Sequence, residues 1–341
     1  MIEQIRQKQR TWLVTGAAGF IGSHLAERLL SLDQRVVAVD NFATGKRENL
    51  KAITDAVSPA QAARFTFFEQ DISDRDGIAA LIVRHVPEVI LHQAALGSVP
   101  RSIADPLTSH HVNVDGFVNM LEAARGAEVK RFVYASSSSV YGDISGTIKS
   151  ENTAGECLSP YAVTKRTNEL YARVYGKMYG LETVGLRYFN VFGPRQDPQG
   201  PYAAVIPRWL SAMSEGRPCV IFGDGTTSRD FCYIDNVVQA NLLAALIEPT
   251  NPVVNGWVNI ACGATTTLEA LHAIMRGAVA RARGVSEESI LPPTREPFRS
   301  GDVRHSLADI SLAQRELGYV PAYSVAEGII ELVRAHNAQI G

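Results

Sequence analysis

Tyr161 and Lys165 place a phenol and an ammonium group four residues apart in the segment YAVTK. Side chains at i and i+4 share one face of a helix, so the two groups lie side by side. A phenol has an ordinary pKa of about 10, but a neighbouring ammonium favours the phenolate. The pair is therefore suited to removing a proton from a substrate hydroxyl. The same spacing also occurs on exposed helices without any function, so its context decides its meaning.

A run of serines precedes this pair, in the segment YASSSSVYG from Tyr134 to Gly142. It follows an apolar run that predicts a strand, and ligands bind at the carboxyl ends of strands in open α/β sheets. A serine hydroxyl both donates and accepts, so Ser137 is predicted to orient a substrate hydroxyl. Ser136 fits equally well in a polar turn that closes the strand.

The elements that must position these groups alternate between β-branched runs and amphipathic stretches. This alternation predicts an α/β fold with a doubly wound parallel sheet. Strands are expected at Trp12–Thr15, Arg35–Asp40, Phe65–Glu69, Val89–His92, Arg131–Ala135 and Thr183–Arg187. Helices are expected at Ile21–Leu30, Asn113–Ala124 and Pro160–Tyr179. Ser159 is the expected N-cap of the last helix, and Pro160 suits its first turn.

A glycine-rich turn, GAAGFIG from Gly16 to Gly22, joins the first predicted strand to the first helix. Glycines permit a tight turn and a close backbone approach to a pyrophosphate, and the helix N-terminus offers N–H donors. The spacing GxxGxxG differs from the more familiar GxGxxG. Its position nevertheless predicts dinucleotide binding rather than a purely structural turn.

Asp40 ends the second predicted strand, 24 residues beyond Gly16. An acidic side chain there accepts the ribose hydroxyls of the adenosine half, which favours NAD over NADP. Lys46 and Arg47 follow closely and leave a 2′-phosphate possible. A purely structural Asp at the start of a turn is the other interpretation.

The overall composition sets limits on partners and location. The formal net charge is -2, which gives no reason to expect nucleic acid or an anionic membrane as partner. The four cysteines, Cys157, Cys219, Cys232 and Cys262, show no CxxC spacing, and the histidines have no metal-ligand spacing, so we expect reduced thiols and no metal. The charged N-terminus does not resemble a secretory signal, and a cytoplasmic protein is expected.

Domain organisation is less regular beyond the sixth strand. We predict a dinucleotide-binding domain over residues 1–188, joined again by about 231–260, and a smaller substrate lobe over 189–230 and 261–341. Closely spaced prolines mark the start of the lobe. The segment Phe231–Ile247 has the pattern of a strand end followed by a helix, which indicates that the chain returns to the first domain.

Several of these motifs together resemble the extended short-chain dehydrogenases that act on nucleotide sugars. They are GAAGFIG, Asp40, HQAA at 92–95, SSSSVYG at 136–142, Tyr161 with Lys165, RYFNVFGPRQ at 187–196 and SRDFCYIDN at 228–236. Within that family, the stretches ALGSVPRS, YAAVIPRW and GDVRHSLAD are most similar to bacterial UDP-N-acetylglucosamine 4-epimerases of surface-polysaccharide pathways. The resemblance spans nearly the whole chain and implies the Rossmann fold of that family.

The resemblance also implies a mechanism. In such enzymes NAD takes a hydride from C4 of the sugar while the tyrosine takes the O4 proton, and the 4-keto sugar turns over before the hydride returns. Tyr161 would be the base, Lys165 its electrostatic partner and Ser137 the residue that orients the hydroxyl, with Ser138 and Ser139 in the pocket. By the same match, the cofactor contacts would be Gly16, Gly19, Phe20, Ile21, Gly22, Asp40, Asn41, Phe42, Thr44, Gly45, Asp71, Ile72, Gln93, Ala94, Ala95, Tyr161, Lys165, Tyr188 and Val191.

Substrate contacts follow from the same resemblance. They would be Gly97, Ser98, Ser137, Ser138, Ser139, Asn190, Ala204, Val205, Trp209, Arg229, Arg299, Asp302 and Ser306. Arginine forks suit a diphosphate, although Arg229 and Arg299 also fit surface salt bridges and Trp209 also fits a core position. Ser306 matches a position that is bulky in epimerases restricted to non-acetylated sugars, and a serine leaves room for an N-acetyl group. Phe222 stands where the family has a polar residue near the uracil.

Other functions are compatible with parts of this pattern. A 4,6-dehydratase needs an acid and a base beside the reactive hydroxyl, whereas this chain has Ser138 and Ser139, which do not titrate at neutral pH. A C4 epimerase of the corresponding UDP-uronic acid remains open, because arginines also bind a carboxylate. A non-catalytic dinucleotide sensor is a third possibility. The resemblance further implies a homodimer built from the helices at 113–124 and 160–179.

Overall fold

A computed structural model describes residues 2–144, 146–153, 155–199, 203–298 and 303–340 of the chain. Strands are numbered in chain order: β1 Thr11–Thr15, β2 Arg35–Asp40, β3 Phe65–Glu69, β4 Val89–His92, β5 Arg131–Ser137, β6 Ile148–Lys149, β7 Glu182–Tyr188, β8 Val191–Phe192, β9 Val220–Phe222, β10 Ser228–Arg229, β11 Cys232–Tyr233, β12 Gly256–Ile260, β13 Thr266–Thr267, β14 Thr294–Glu296 and β15 His305–Ala308. All six predicted strands are therefore confirmed.

The main sheet has seven strands in the order β12-β7-β5-β4-β1-β2-β3, and every neighbouring pair is parallel. Side chains of successive strand residues point to opposite faces, so Trp12 and Val14 enter one core while Leu13 enters the other. Both faces are apolar because helices cover both, as the doubly wound prediction requires. The order reverses between β4 and β1, which places a topological switch point there.

The helices alternate with these strands. They are α1 Ile2–Gln7, α2 Phe20–Ser31, α3 Arg47–Asp55, α4 Pro59–Ala62, α5 Arg75–His85, α6 Val99–Ala104, α7 Pro106–His110, α8 Gly116–Gly126, α9 Pro160–Tyr179, α10 Val205–Ser214, α11 Ile234–Leu246, α12 Leu268–Arg283, α13 Ser311–Leu317 and α14 Val325–Ile340. In the described part of the chain, none is long and apolar enough to cross a membrane.

Two of the predicted helices agree closely with the structure, and the third needs a correction. α9 has the predicted bounds, and the Ser159 hydroxyl accepts from Ala162 N at 3.2 Å as the expected N-cap. The helix predicted from Asn113 begins instead as a π-helical turn, His111–Asp115, and becomes α-helical only at Gly116. Within this turn, the Asn113 amide is drawn into hydrogen bonds with the Leu96 backbone and Thr164, which accounts for the local departure from α geometry.

The chain leaves the main sheet after β7 and returns to it with β12, which pairs with β7 from Gly256–Val184 to Ile260–Tyr188. Between and after these strands lie smaller sheets. β13, β10, β15 and β6 form one, β14 pairs with β9, and β11 pairs with β8. The predicted boundaries at 188, 231 and 260 fall near these crossings and stay a prediction.

A buried ion pair fixes α9 to the main sheet. The Glu169 carboxylate of α9 is fully buried, and Arg187 of β7 donates to it through Nε at 2.7 Å and Nη2 at 2.9 Å. Ser136 of β5 adds a third hydrogen bond at 2.7 Å. The Arg187 guanidinium also packs on the rings of Tyr141 and Trp257, with centroids at 4.7 and 5.0 Å. The attraction between the two charges and the added hydrogen bonds offset the cost of taking them out of water, whereas one charge left buried without its partner would be strongly destabilising.

We expect Glu169→Gln to lower the free energy of unfolding by about 3–5 kcal/mol, because it leaves the Arg187 charge buried without a counter-ion. Urea denaturation followed by circular dichroism measures the loss. Glu331→Gln is the matched control, since it breaks the exposed pair between Glu331 and Arg334, which is worth less than about 1 kcal/mol. Equal losses in the two variants would contradict the role given to the buried pair.

Candidate functional site

The carboxyl ends of the main-sheet strands open into a cavity of about 460 Å³ at the switch point. Its walls come from the turn after β1, the loops after β2 and β4, and the segment that follows β8. The predicted cofactor contacts on its lining are Gly16, Gly19, Phe20, Ile21, Gly22, Asp40, Asn41, Thr44, Ile72, Gln93, Ala94 and Ala95. The structure thus brings twelve of the nineteen predicted contacts to one cavity.

The glycine turn between β1 and α2 leaves no room for a side chain at Gly16 or Gly22. Gly16 has φ +66°, and a Cβ on it would lie 2.9 Å from Ala94 N. A Cβ on Gly22 would lie 2.1 Å from Gly16 O, so the turn packs directly on the first turn of α2. Gly19 precedes Phe20, and the free N–H groups of this helix end adjoin the cavity. Such a turn fits the diphosphate of a dinucleotide.

Asp40 lies at the end of β2 beside this turn. Its carboxylate accepts from Ala18 N at 2.9 Å and from Phe42 N at 2.7 Å. Burial raises the pKa of Asp40, and these amide hydrogen bonds oppose that rise. The two nearby cations already have acidic partners, because Lys46 lies 3.2 Å from Asp197 and Arg47 lies 2.8 Å from Glu69. A site with this acid and these paired cations fits an unphosphorylated ribose, and hence NAD.

The other seven predicted cofactor contacts are not on the lining of this cavity. Phe42 packs against Phe67 with ring centroids at 5.4 Å, and Asp71 accepts from Asn41 Nδ2 at 2.7 Å. Tyr188 is buried, and its hydroxyl donates to Gln93 Oε1 at 3.1 Å. The others are Gly45, Tyr161, Lys165 and Val191. A Cβ on Gly45 would lie 2.7 Å from Asp40 Oδ1, so this glycine lets the loop close over Asp40.

The predicted reactive pair lies where β5 ends and α9 begins. Lys165 Nζ donates to Ala135 O at 2.9 Å and lies 6.0 Å from the centroid of the Tyr161 ring. Tyr161 N donates to the Ser102 hydroxyl of α6 at 3.0 Å, which ties this end of α9 to the loop after β4. The two side chains therefore share a face of α9, as their spacing predicts.

Burial and neighbouring polar groups shift the pKa values of both Lys165 and Tyr161. Burial lowers the pKa of Lys165 to about 8, and the Glu169 carboxylate one turn further along α9 opposes the shift. Burial also raises the pKa of Tyr161, and the Ser137 side chain opposes that rise. The rise disfavours the phenolate, so a base at this position needs positive charge close by. Lys165 in its ammonium form supplies one such charge.

The serine cluster begins at the end of β5 and forms a short 3₁₀ turn over 138–141. The Ser137 hydroxyl accepts from Ser139 N at 3.2 Å and from the Ser139 hydroxyl at 3.0 Å. Ser136 points away from this turn towards Glu169, so its structural interpretation is the one that fits. Ser137, Ser138 and Ser139 are partly exposed and stay available at this end of the sheet.

A second cavity, of about 270 Å³, adjoins the first, and Ala203 and Ala204 line both. Five predicted substrate contacts line it: Asn190, Ala204, Val205, Trp209 and Arg229. Gly97 and Ser98 line the first cavity instead. Ser306 of β15 pairs in register with Arg229 of β10, beside the second cavity. Arg299 and Asp302 lie outside the described residues.

Trp209 and Arg229 can each be interpreted as a substrate contact or as a structural residue, and the structure shows contacts of both kinds. Trp209 lines the cavity but is also buried, with its indole N–H donating to Val220 O at 3.1 Å. Arg229 Nη1 donates to the backbone oxygens of Ser228 and Arg304 at 3.0 and 3.2 Å. Phe222 lies on the lining, so an aromatic ring replaces the polar group that the family resemblance leads one to expect.

Three residues of the site were not anticipated from the sequence. Glu169 holds the reactive helix, Ser102 anchors Tyr161 N, and Arg195 lines the first cavity while pairing with Glu27. Glu169 follows Lys165 by four residues, and that spacing is the one signal that would have suggested it. Among the described residues, no three His, Cys, Asp or Glu side chains gather as a metal site would require.

The fold and this cavity define an α/β dinucleotide-binding protein. The model of the NAD dependent epimerase/dehydratase family matches residues 12–261, and the chain belongs to that family. NAD is its cofactor. The matched region includes the glycine turn, Asp40, the reactive pair and β12.

Individual relatives cover nearly the whole chain. A UDP-glucose 4-epimerase of Mycolicibacterium smegmatis is 40% identical over 94% of this chain and 96% of its own length. The solved structure of a UDP-N-acetylglucosamine 4-epimerase from Methanobrevibacter ruminantium, in complex with UDP-N-acetylmuramic acid, is 35% identical with a TM-score of 0.86 over 97% and 99% of the two chains. That of a UDP-glucuronic acid 4-epimerase from Bacillus cereus, with UDP-glucuronic acid and NAD, is 32% identical with a TM-score of 0.80 over 96% and 99%.

The low pKa of Lys165 gives a direct prediction. Below about pH 8 the side chain carries its proton, and the charge is lost as the pH rises through that value. In protein labelled with 13C-lysine, one Cε signal should titrate near pH 8 in NMR spectra, whereas ordinary lysines titrate near about 10.4. Lys165→Arg should remove that signal and so assign it. If the signal that Lys165→Arg removes titrates above pH 10 in the wild-type protein, burial does not depress the pKa of Lys165.

Proposed function

We propose that the protein is an NAD-dependent C4 epimerase of a UDP-N-acetylhexosamine. It would interconvert UDP-N-acetylglucosamine and UDP-N-acetylgalactosamine through a 4-keto sugar, for the synthesis of surface-polysaccharide precursors. The observation that carries the proposal is the meeting of Tyr161, Lys165 and Ser137 at the carboxyl edge of the sheet that also forms the dinucleotide cavity. The names of the relatives support 4-epimerisation of a UDP-sugar as the reaction.

The protein groups have distinct tasks in this reaction. Tyr161 takes the proton of the sugar O4 and later returns it, and Ser137 orients that hydroxyl. The ammonium of Lys165 stabilises the phenolate against the burial that raises the pKa of Tyr161. When bound, NAD supplies the hydride acceptor and, in the second half, the hydride donor, so no oxidant is consumed overall.

The residues beside Ser137 favour an epimerase over a dehydratase. Elimination of water needs a titratable acid and base beside the reactive hydroxyl. Ser138 and Ser139 occupy the two positions that follow Ser137, and hydroxyl groups do not titrate near neutral pH. The site is therefore equipped to move one proton at O4 and not to remove a second group from the sugar.

The second cavity is the proposed seat of the UDP group. Arg229 lies on its wall and offers N–H donors of the kind that diphosphates require. Trp209 and Val205 give the cavity an apolar side against which a base can pack. Because Ala203 and Ala204 line both cavities, a sugar joined to the diphosphate would lie near the junction.

The proposal of an N-acetylated sugar depends on the small residues around this junction. A Cβ on Gly97 would meet no atom within 4 Å, so there is open space beside it. Ala204 is small, and Ser306 is a serine where, by the resemblance given above, epimerases restricted to non-acetylated sugars carry a bulky side chain. Together these positions leave room for a substituent at C2 of the sugar.

The first test is incubation of the purified holoenzyme with UDP-N-acetylglucosamine, without added nicotinamide, while proton NMR follows the sugar anomeric signals. We expect UDP-N-acetylgalactosamine to appear. Tyr161→Phe should lower the rate at least about 100-fold, because general base catalysis contributes 10²–10⁴-fold. Tyr179→Phe, at the exposed end of the same helix, is the matched control and should leave the rate unchanged.

The same assay with UDP-glucuronic acid tests the alternative substrate, which the Bacillus cereus relative supports. If the uronic acid alone is turned over, the proposed mechanism stands, but the substrate is a UDP-uronic acid. No turnover of either sugar or of UDP-glucose, the sugar named for the Mycolicibacterium smegmatis relative, with NAD still bound, would favour the non-catalytic sensor.

We also propose that two copies associate through α9. Its exposed side chains Val163, Leu170, Val174 and Met178 form one apolar stripe along the helix, and each is at least half exposed. A helix stripe of this kind is normally covered. A second copy meeting it around a two-fold axis would bury the same stripe on both chains, and this fits the homodimer that the family resemblance implies.

Light scattering coupled to gel filtration tests this association. The protein should elute with the mass of two chains, and Leu170→Glu with Val174→Glu should give a single chain, because the new charges would be buried in the interface. Val320→Glu places a charge on an equally exposed apolar residue elsewhere and should leave the dimer intact. A monomeric wild-type protein would refute the proposal.

A further inference from the structure

Two cysteines that are thirty residues apart in the sequence lie beside each other in the fold. Cys232 belongs to β11, and Cys262 follows β12. The Asp230 carboxylate accepts from Cys262 N at 2.9 Å, which joins the two segments. The Tyr319 hydroxyl joins them a second time, since it donates to Ala261 O at 2.8 Å and lies 3.8 Å from Cys232 Sγ.

The two thiols interact directly. The Cys232 thiol donates to Tyr233 O at 3.8 Å, and the Cys232 and Cys262 side chains act on each other's pKa. Cys262 Sγ also lies 3.5 Å from Tyr323 O and accepts from Asn236 Nδ2 at 3.6 Å. Both sulfurs therefore have contacts to the same two segments, residues 233–236 and 319–323.

The members of the pair differ in reactivity. Cys262 is partly exposed, whereas Cys232 is buried. The Cys232 side chain lowers the pKa of Cys262, while burial raises the pKa of Cys232. Cys262 thus has the features of an attacking thiolate, and Cys232 those of a resolving thiol.

The other two cysteines lack one or both of these features. Cys157 is partly exposed like Cys262, but burial raises its pKa. Cys219 is buried, and burial raises its pKa to about 11. Cys262 therefore combines partial exposure with a lowered pKa, and a second thiol lies beside it.

We propose that Cys232 and Cys262 form a redox-active dithiol, a modification site that closes to an intramolecular disulfide on reaction with a peroxide. The Cys262 thiolate attacks one peroxide oxygen, an S–O bond forms, the O–O bond breaks, and the released hydroxide takes up a proton to become water. Cys232 then attacks the sulfenic sulfur, an S–S bond forms, the S–O bond breaks, and water leaves with the Cys232 proton. Two thiols are oxidised and one peroxide is reduced to two waters.

The dithiol lies next to the proposed substrate cavity but apart from the reactive pair. Asp230 directly follows Arg229, which lines that cavity, and its carboxylate also accepts from Gly263 N at 3.0 Å and Ala308 N at 3.3 Å. A disulfide would add a covalent link between the two segments that carry Cys232 and Cys262.

The test is treatment of the intact protein with hydrogen peroxide, alkylation of the remaining thiols under denaturing conditions, and mass spectrometry of peptides. We expect a cross-linked peptide pair containing Cys232 and Cys262, with Cys157 and Cys219 alkylated. Dithiothreitol should restore both thiols. Oxidation of Cys262 to a sulfinic acid while Cys232 stays alkylatable, or oxidation of Cys157 at the same rate as Cys262, would overturn the proposal.

Two variants sharpen this experiment. In Cys232→Ser the resolving thiol is absent, so Cys262 should accumulate as a sulfenic acid that dimedone traps. Cys157→Ser is the matched control with a partly exposed thiol removed, and it should form the same cross-link as the wild-type protein. A Cys232→Ser protein that gives no dimedone adduct on Cys262 would also count against the proposal.

Discussion

The buried carboxylate of Glu169 is the interaction on which the site depends. It joins α9 to β5 through Ser136 and to β7 through Arg187, and it also acts on the charge of Lys165. Burying a single charge is costly, so these partners must be in place together. The same contacts that stabilise the fold therefore set the height and rotation of α9 above the sheet, and with them the position of Tyr161.

This arrangement separates two requirements that conflict at a catalytic base. Tyr161 must be shielded from water, which raises its pKa, yet it must also lose a proton near neutral pH. Positive charge resolves the conflict, but a buried ammonium is itself easily deprotonated, as the pKa of about 8 at Lys165 shows. Glu169 opposes that loss from one helical turn away. The negative charge that anchors the helix thus also helps to keep its lysine charged.

Much of the fold could be predicted from local pattern. Six strands, the bounds of α9 and its Ser159 cap follow from apolar runs and turn residues, because these signals are local in the sequence. β12 was not located, since its five residues, Gly256–Ile260, carry no alternation and depend on pairing with β7. The π-helical start of the helix before Gly116 was missed for a related reason, as the Asn113 contacts that accompany it come from distant segments.

The site was predictable to the extent that motifs fix backbone positions. The glycine turn and Asp40 meet at one cavity because strand ends determine where they lie. Side-chain partners are different, since they depend on tertiary contacts. The sequence allows Lys46 to bind a 2′-phosphate, but in the structure Lys46 pairs with Asp197, and nothing local indicates that Arg187 meets Glu169.

The late arrival of β12 also constrains how the chain folds during synthesis. β7 has β5 on one side, and its other edge stays open until residues 256–260 have left the ribosome. About seventy residues of smaller strands and helices emerge in that interval, and an open strand edge is a template for wrong pairing. The apolar helix α11 comes before β12 in the chain and packs on β5 and β7, so the face of these strands can be covered before the last strand is added at their open edge.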